Sequence, residues 1–501
     1  MRAKSLMVQG TMSGVGKSLL VAGLCRVLAQ DGVRVAPFKS QNMALNSAIT
    51  AEGLEMGRAQ VVQAEAAGIE PTVAMNPILL KPTTDMGSQV IVRGKSLGTM
   101  AARDYFAFRH TLKDQIMEAY EELASSYDVI LVEGAGSPAE VNLKRDDIVN
   151  MGLAQMVDAP VALVGDIDRG GVFAQLIGTM MLLEDHERQR VKGSIVNKFR
   201  GDVTILEPGL DILRAKMGVP VLGVVPYMQL DIDDEDSLSD RLAMRAGAGL
   251  VDVAVVRLPK ISNFTDFIAL EAAEGIGLRY VSRPAELGNP DLIILPGTKS
   301  TMDDLRWLRT TGLEAAILRA SDRSCAVLGI CGGYQMLGEL ISDPEGMEAA
   351  GEMAGMGLLP VQTVFGREKR TVQSEGTFGE VGGVLSALSG QPVLGYEIHM
   401  GRTKRRGGQP LITLGRGGTD HVEDGCQCGN VYGCYLHGLF DHAAVTNALA
   451  RALLLAKGLD PQAAQAFDMV SYRQEQYDLL ASGVRSSLDM ERIYQIIEEG
   501  V

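Results

Sequence analysis

Cysteines and long apolar runs are both scarce in this sequence. Only six of the 501 residues are cysteines, which is too few for a disulfide framework and favours a reducing compartment. No apolar run approaches the roughly 18 residues that a membrane-spanning helix needs. Residues 1–4 lead straight into a strand-like apolar run and a glycine loop, without the long apolar segment of a signal peptide. We therefore expect a cytoplasmic protein with no membrane span.

An excess of positive charge is missing as well. The chain has 47 Lys and Arg against 62 Asp and Glu, and its formal net charge is -15. Such a surface repels phosphate backbones, so we expect no nucleic-acid partner. The composition, 46% hydrophobic and 22% charged, is that of an ordinary globular protein. The length predicts about two to four domains.

Short apolar runs separated by helical patterns divide the chain into two α/β halves. The runs are at 6–8, 33–36, 129–132, 161–164, 194–196, 221–225, 251–256, 292–295 and 326–328. Unbroken β-branched runs between helices indicate parallel strands that are buried on both faces, as in a doubly wound α/β fold. We predict an N-terminal domain over 1–230, an acidic linker over 231–250, and a second α/β domain over 251–501 with a helical tail.

A phosphate-binding loop is predicted at residues 10–18, GTMSGVGKS, between a strand and a helix. Glycines such as Gly14 and Gly16 let backbone N–H groups turn toward a phosphate at the helix N-terminus. Lys17 can reach the terminal phosphates and the Ser18 hydroxyl can bind Mg²⁺. Five residues separate Gly10 from Gly16, one more than in the common form of this loop.

This longer loop resembles the dethiobiotin synthetase-like branch of the P-loop proteins, which also includes MinD- and ParA-type ATPases. The resemblance implies that Lys39 is a second phosphate-contacting lysine and that Glu133, in VEGAGSP, is an acidic Mg²⁺ ligand. It also suggests that Asn197 contacts the base. A guanine-binding protein has Asp three residues after that Asn, but here the residue is Arg200, which favours ATP.

The second half contains a predicted nucleophile elbow. Residues 328–338 read LGICGGYQMLG, which places Cys331 between a strand and a helix with glycines around it. The segment resembles the active site of class I glutamine amidotransferases. That resemblance implies Cys331 as nucleophile, His437 as general base, and a backbone N–H at about Gly297 in the oxyanion hole. The family's usual Glu, two residues after the His, is Leu439 here, so we predict a Cys–His dyad.

Over its whole length the chain resembles the cobyric acid synthase family of cobalamin biosynthesis. The segments that carry this resemblance are GTMSGVGKS, KSQNMALNS, GRAQ, NPILLKP, VNLKRDDIVNMGLA, GDIDRGGVFA, VNKFRGD, the elbow and YEIHMGRT. The resemblance implies ATP- and glutamine-dependent amidation of the b, d, e and g carboxylates of adenosylcobyrinic acid a,c-diamide through acyl phosphates. Its substrates would be a corrinoid and L-glutamine, with ATP and Mg²⁺.

Several further residues are candidates for the site. Asp146 is our hypothesis for a group that orients the incoming ammonia. Five basic residues stand out as possible partners of a substrate with several carboxylates: Lys39, Lys81, Arg145, Arg169 and Arg402. His399 is either a structural residue or a contact of that substrate. The cysteines at 426, 428 and 434 have no standard zinc spacing, so we expect no metal there.

Two alternative functions stay open from the sequence. One is a relative that acts on another corrinoid, such as a cobyrinic acid a,c-diamide synthase. The other is a ParA- or MinD-like ATPase switch, although the signature lysine of those switches is absent from Thr11-Met12-Ser13. The oligomeric state is open.

Overall fold

The computed structural model describes residues 3–84, 87–232, 249–415, 421–463 and 467–501. Most of the expected acidic linker, 233–248, lies outside the described residues. The chain forms two compact units. The first contains 1–44, 54–236 and 473–501, and the second contains 45–53 and 237–472.

In the N-terminal half of the sequence, the described residues form twelve strands. They are β1 (Lys4–Gly10), β2 (Val35–Phe38), β3 (Gln41–Met43), β4 (Ser47–Ile49), β5 (Glu55–Gly57), β6 (Ile78–Thr84), β7 (Gly87–Val92), β8 (Lys95–Ala101), β9 (Val129–Glu133), β10 (Val161–Asp166), β11 (Val191–Phe199) and β12 (Val221–Pro226). The helices of this half are α1 (Lys17–Gln30), α2 (Arg58–Ala67), α3 (Ala102–Phe108), α4 (Lys113–Ala124), α5 (Met151–Val157), α6 (Val172–Leu182), α7 (Asp185–Arg188) and α8 (Glu207–Met217).

The described part of the C-terminal half contains twelve further strands and eight helices. The strands are β13 (Val251–Val256), β14 (Ile276–Val281), β15 (Leu292–Leu295), β16 (Ala326–Ile330), β17 (Leu340–Asp343), β18 (Gly351–Ala354), β19 (Val361–Phe378), β20 (Pro392–Arg405), β21 (Ile412–Gly415), β22 (His421–Asp424), β23 (Cys426–Cys428) and β24 (Val431–Cys434). The helices are α9 (Ile268–Ala272), α10 (Pro284–Leu287), α11 (Thr301–Thr311), α12 (Leu313–Asp322), α13 (Gly332–Leu337), α14 (Ala443–Ala456), α15 (Met469–Ser487) and α16 (Met490–Glu499).

Short 3₁₀ helices complete the described elements. They are Val73–Met75, Arg109–Leu112, Val141–Leu143, Val203–Ile205, Phe264–Phe267, Gly383–Leu388 and Pro461–Ala463.

The first unit is built on a six-stranded parallel sheet in the order β12-β11-β10-β1-β9-β2. The predicted doubly wound fold is confirmed. Register explains where its site lies, because Val8 of β1 pairs with Glu133 at the end of β9. The loop after β1 and the carboxylate that ends β9 therefore meet at the carboxyl edge of the sheet, where such folds bind ligands.

A smaller sheet, β3-β6-β7-β8, also belongs to the first unit. Strands β3 and β6 are parallel, and β6, β7 and β8 form an antiparallel meander. No pattern in the sequence predicts this sheet, because its strands lack the continuous β-branched runs of the main sheet.

The C-terminal helices pack with the first unit, although the sequence assigned them to the second domain. Ile493, Ile496 and Ile497 share one face of α16 and are buried, the spacing of an amphipathic helix. They join the core cluster that includes Leu20 and Leu24 of α1. The N-terminal unit thus includes 473–501.

The second unit contains a sheet in the order β14-β13-β15-β16-β24-β23, parallel except for β23. A further, mostly antiparallel sheet contains β18-β17-β19-β21-β22, with β20 paired to β19. Residues 45–53 also belong to this unit, so the N-terminal half of the sequence is not one continuous domain. Within the described ranges, no helix is long and apolar enough to cross a membrane.

Candidate active sites

The predicted phosphate loop is closed against the strand that carries Asn197. Gly16 has φ +88°, and a Cβ on it would lie 2.4 Å from Asn197 Nδ2, so only glycine fits there without displacement. Asn197 Nδ2 donates to Val15 O at 2.7 Å. Asn197 therefore holds the loop. Its predicted contact with a nucleotide base stays a prediction.

Lys17 is buried and folded back over its own loop. Its Nζ donates to Met12 O and to Gly136 O, both at 3.3 Å. The amine thus lies between the 10–18 loop and the turn that follows β9. Helix α1 begins at this lysine, so its first backbone N–H groups also face the loop, as an anion site requires.

Glu133 is the centre of a buried hydrogen-bonded cluster. Its Oε1 accepts from Ser18 Oγ at 2.8 Å and from Lys39 Nζ at 2.9 Å. Its Oε2 accepts from Gln63 Nε2 at 2.6 Å and from Gln60 Nε2 at 3.4 Å. The structure therefore brings together Ser18, which the loop motif predicts, and Lys39 and Glu133, which the resemblance implies.

Sequence reasoning missed the two glutamines. They lie three residues apart on α2, so they share a helix face, and that spacing is the signal that could have found them. Within the described part of the chain, Gln63 Oε1 is buried and has no hydrogen-bond partner. A buried carbonyl oxygen without a partner is costly unless something binds it.

This cluster fits a magnesium ion by the chemistry of its donors. Ser18 Oγ, a Glu133 carboxylate oxygen and the Gln63 carbonyl oxygen are all hard oxygen atoms, which Mg²⁺ prefers. Glu133 is the one carboxylate among these donors, and no group of three or more His, Cys, Asp or Glu in the described ranges could hold a metal ion.

Asp146 lies in a strained turn, with φ +58°. Its carboxylate is 3.5 Å from Lys113 Nζ and 3.9 Å from Arg145 Nε. In the described residues none of its hydrogen bonds goes to Ser18, Lys39 or Glu133. The neighbouring Asp147 instead has a structural role, because it accepts the backbone N–H groups of Val149, Asn150 and Gly152 at the start of α5.

The basic residues singled out in the sequence differ in their accessibility. Lys81 forms a buried ion pair with Glu55 at 2.9 Å, so its charge is already balanced inside the unit. Arg402 pairs with Glu368 at the surface. Arg145 and Arg169 keep 95% and 61% of their side chains exposed and can meet an anionic substrate.

The second site is built around a strained cysteine. Cys331 ends β16 and precedes α13, with φ +52° and ψ -107°, a conformation that non-glycine residues rarely adopt. This is the strand–nucleophile–helix geometry that the sequence predicted. Strain of this kind persists where the surrounding structure enforces it, commonly at functional sites.

The predicted Cys–His dyad is wrong, because a third group is present. His437 Nδ1 is 2.7 Å from Asp266 Oδ2, and Asp266 Oδ1 accepts from Gly438 N at 3.0 Å. Asp266 lies in the 3₁₀ helix Phe264–Phe267, far from His437 in sequence. The sequence motif around His437 therefore does not indicate its partner. The arrangement is a Cys–His–Asp triad.

The two triad partners hold the imidazole in its charged form. Burial alone would lower the pKa of His437, but the Asp266 carboxylate and the Cys331 side chain raise it above its ordinary 6.5, to about 10. An imidazolium beside a sulfur nucleophile stabilises the thiolate, which is the attacking species.

Gly297 and Tyr396 lie next to the imidazole of His437. A Cβ on Gly297 would lie 2.8 Å from His437 Cε1, which places the turn after β15 directly beside the ring. The Tyr396 ring stacks on the imidazole with centroids 5.4 Å apart. The Gly297 backbone N–H stays a predicted oxyanion-hole donor.

His399 is packed among its neighbours inside the second unit, and its contact with the substrate stays a prediction. Its side chain is 8% exposed and stacks on Tyr435 with centroids 3.6 Å apart. Its Nε2 lies 3.3 Å from Glu397 Oε2. The stacked rings of His399 and Tyr435 thus pack against each other within the second unit.

Comparison with known proteins identifies one domain in each half of the chain. The CobQ/CobB/MinD/ParA nucleotide binding domain matches residues 6–237, and the CobB/CobQ-like glutamine amidotransferase domain matches residues 252–445.

Full-length relatives are also known. The cobyric acid synthase of Ruminiclostridium cellulolyticum is 58% identical and covers 100% of this chain and 98% of its own length. That of Lachnoclostridium phytofermentans is 55% identical over 100% of both chains. That of Citrobacter koseri is 52% identical over 99% of both chains. The chain therefore belongs to the cobyric acid synthase family.

Proposed function

We propose that this protein is a glutamine-hydrolysing amide ligase that converts carboxylates of a corrinoid into amides at the expense of ATP. The observation that carries the proposal is the presence, in one chain, of a buried Cys–His–Asp triad and a phosphate loop with a carboxylate cluster. In its full form the proposal is amidation of the b, d, e and g carboxylates of adenosylcobyrinic acid a,c-diamide. A cytoplasmic location stays a prediction.

At the triad, the Cys331 thiolate attacks the side-chain amide carbon of glutamine. The His437 imidazolium gives its proton to the departing nitrogen, and ammonia leaves. Water, deprotonated by the same imidazole, then hydrolyses the thioester to glutamate and restores the thiolate. Asp266 keeps the Nδ1 proton in place throughout, so that Nε2 faces the reacting atoms.

At the phosphate loop, a substrate carboxylate oxygen attacks the γ-phosphorus of ATP, and ADP departs. The resulting acyl phosphate is attacked by ammonia at its carbonyl carbon, phosphate leaves, and the amide remains. Lys17 and Lys39 would neutralise the charge that develops on the phosphoryl oxygens. Ser18 and Glu133 would hold Mg²⁺, which supplies further charge neutralisation at the phosphates.

Asp146 stays a proposed orienting group for the ammonia, and Arg145 and Arg169 stay proposed contacts of the acidic substrate. Unchanged amidation at all positions by an Asp146→Asn variant would remove Asp146 from the mechanism.

Mass spectrometry of the product tests the proposal. The protein is incubated with cobyrinic acid a,c-diamide, ATP, Mg²⁺ and glutamine, and each exchange of OH for NH₂ lowers the product mass by a fixed step. We expect amidation at several positions, which Cys331→Ser abolishes with glutamine but not with ammonium. ATP hydrolysis that ignores both the corrinoid and the nitrogen source would instead support the ATPase switch, and amidation of only another corrinoid would support the narrower alternative.

A further inference from the structure

A short segment of the N-terminal half of the sequence lies against the strand that supports the catalytic imidazole. Residues 45–53 fold with the second unit, whereas residues 1–44 and 54–236 fold with the first. The segment contains β4, whose three residues are all buried. No motif in the sequence connects this stretch with the glutamine site.

Two side chains of one antiparallel pair hold this segment. Tyr396 of β20 and Gln373 of β19 are directly opposite each other. Tyr396 Oη donates to Ser47 O at 3.1 Å, and Gln373 Nε2 donates to Ile49 O at 2.8 Å. Carbonyls two residues apart in a strand point to the same side, so the spacing of the two acceptors matches that of the two donors.

Tyr396 also fixes His437 through both its backbone and its ring. Tyr396 N donates to His437 O at 3.1 Å, and His437 N donates to Tyr396 O at 2.9 Å. The ring stacks on the imidazole at an interplanar angle of 22°. The hydroxyl of the same ring donates to Ser47 O, which adds a further restraint on the direction of the ring.

The same segment reaches the start of the turn that carries Asp266. Ser47 N lies 3.5 Å from Asn263 Oδ1, and Asn263 has φ +51° at the residue before the 3₁₀ helix Phe264–Phe267. Ser47 therefore contacts Tyr396, which stacks on the imidazole of His437. It also contacts Asn263, which precedes the 3₁₀ helix that carries Asp266.

We propose that residues 45–53 are a part of the glutaminase site, and that Tyr396 is the positioning residue through which they hold His437 in line with Cys331. The inference rests on the proposed glutamine hydrolysis and adds a residue and a segment to it. A glutaminase unit that lacks 45–53 retains Cys331, His437 and Asp266 but loses the anchor of the Tyr396 ring.

The test uses the full-length protein with Tyr396→Phe, which keeps the stacked ring and removes only the hydroxyl. We expect kcat for glutamine hydrolysis to fall about three- to tenfold with KM within about twofold, because one hydrogen bond that orients the ring is lost. Tyr280→Phe is the matched control, since Tyr280 lies on the edge strand β14 and its hydroxyl donates to Glu271 of α9. We expect it to behave as the wild type.

A second variant distinguishes the effect of holding residues 45–53 from the effect of the Tyr396 ring itself. Gln373→Ala removes the other tether of the segment without altering the stacked pair, and we expect a smaller fall in kcat, of about twofold. Because both tethers hold one segment, the double variant should fall short of the product of the two single effects. The pH profile of Cys331 alkylation by iodoacetamide should shift in Tyr396→Phe and stay unchanged in Tyr280→Phe.

Three outcomes would overturn the inference: an unchanged kcat in Tyr396→Phe, an alkylation profile like that of the wild type, or an equal loss of ammonia-dependent and glutamine-dependent amidation. The last would indicate a general effect on the fold. Failure of the wild type to amidate a corrinoid would sink the proposed function alone, since glutamine hydrolysis and alkylation would still report on Tyr396.

Discussion

At the scale of single residues, a functional side chain is predictable from the sequence when the residues that determine its role are its neighbours in the chain. The role of Cys331 can be predicted, because the strand and the glycines that produce its backbone strain are its immediate neighbours in sequence. The role of Asp266 cannot, since no residue next to it in sequence indicates that it binds an imidazole. Its role arises only when β24 places His437 beside the turn at 264–267.

Replacing Asp266 by Asn tests the triad directly. The amide keeps the size of the carboxylate but loses its charge, so the pKa of His437 should fall below about 10. The imidazolium would then lose its proton at a lower pH, and the alkaline limb of the glutaminase pH profile should move to lower pH. We expect kcat for glutamine to fall about 10²-fold or more, while ammonia-dependent amidation persists.

The pH profile of glutamine hydrolysis measures this change. Asp322→Asn, at an exposed carboxylate at the end of α12, is the control. A wild-type kcat and profile in Asp266→Asn would show that Asp266 takes no part in catalysis.

At the scale of elements, the strands that can be predicted are those whose burial on both faces gives a continuous run of apolar residues in the sequence. The strands of the parallel sheets, such as β9 and β15, are continuous apolar runs and were found in the sequence at nearly their observed bounds. The long pair β19 and β20 was not, because most of its residues are half-buried or exposed and its apolar positions are scattered. Scattered apolar residues such as Val361 and Phe365 join the core, but part of what stabilises that pair is polar, and polar partners across strands leave no periodicity in the sequence.

Glu397 of β20 is such a polar partner, and its titration should be visible in the acid stability of the second unit. Burial alone would raise the pKa of Glu397, but hydrogen bonds from His399 and Arg370 lower it to about 2. The folded pKa lies below the unfolded value of about 4.5, so the stabilisation is present above that pH and is lost as the pH falls toward 2. Glu397→Gln should therefore be less stable than wild type at pH 7, with a difference that shrinks below pH about 4.5.

Urea unfolding from pH 7 to pH 3, followed by near-UV circular dichroism, measures that difference. Glu375→Gln, an exposed change on the same strand pair, is the control and should track the wild type. A difference that stays constant with pH would mean that the hydrogen bonds to Glu397 do not depend on its charge.

At the scale of the whole molecule, the two α/β halves and their order follow from the sequence, but the path of the chain through the two compact units does not. Residues 45–53 and 473–501 each fold with the unit that lies further away along the chain. The tail shows an apolar face in α16, whereas residues 47–49 are buried without such a pattern. An amphipathic pattern indicates that a face is buried, and it holds no information about which surface covers it.

Helix α15 provides the last prediction, since two adjacent leucines on it differ in burial. Leu480 is fully buried and Leu479 is 57% exposed. A Cβ on Gly23 of α1 would lie 3.2 Å from Leu480 Cγ, so the two helices approach closely at this point. Leu480→Ala should destabilise the first unit by about 2–5 kcal/mol, and Leu479→Ala by no more than about 0.5 kcal/mol. Hydrogen exchange localises the effect, because Leu480→Ala should speed exchange in α1 and β1 and leave β13 and β16 as protected as in the wild type. Equal exchange in the two variants, or a loss of protection confined to β13 and β16, would mean that the tail does not stabilise the nucleotide-binding unit.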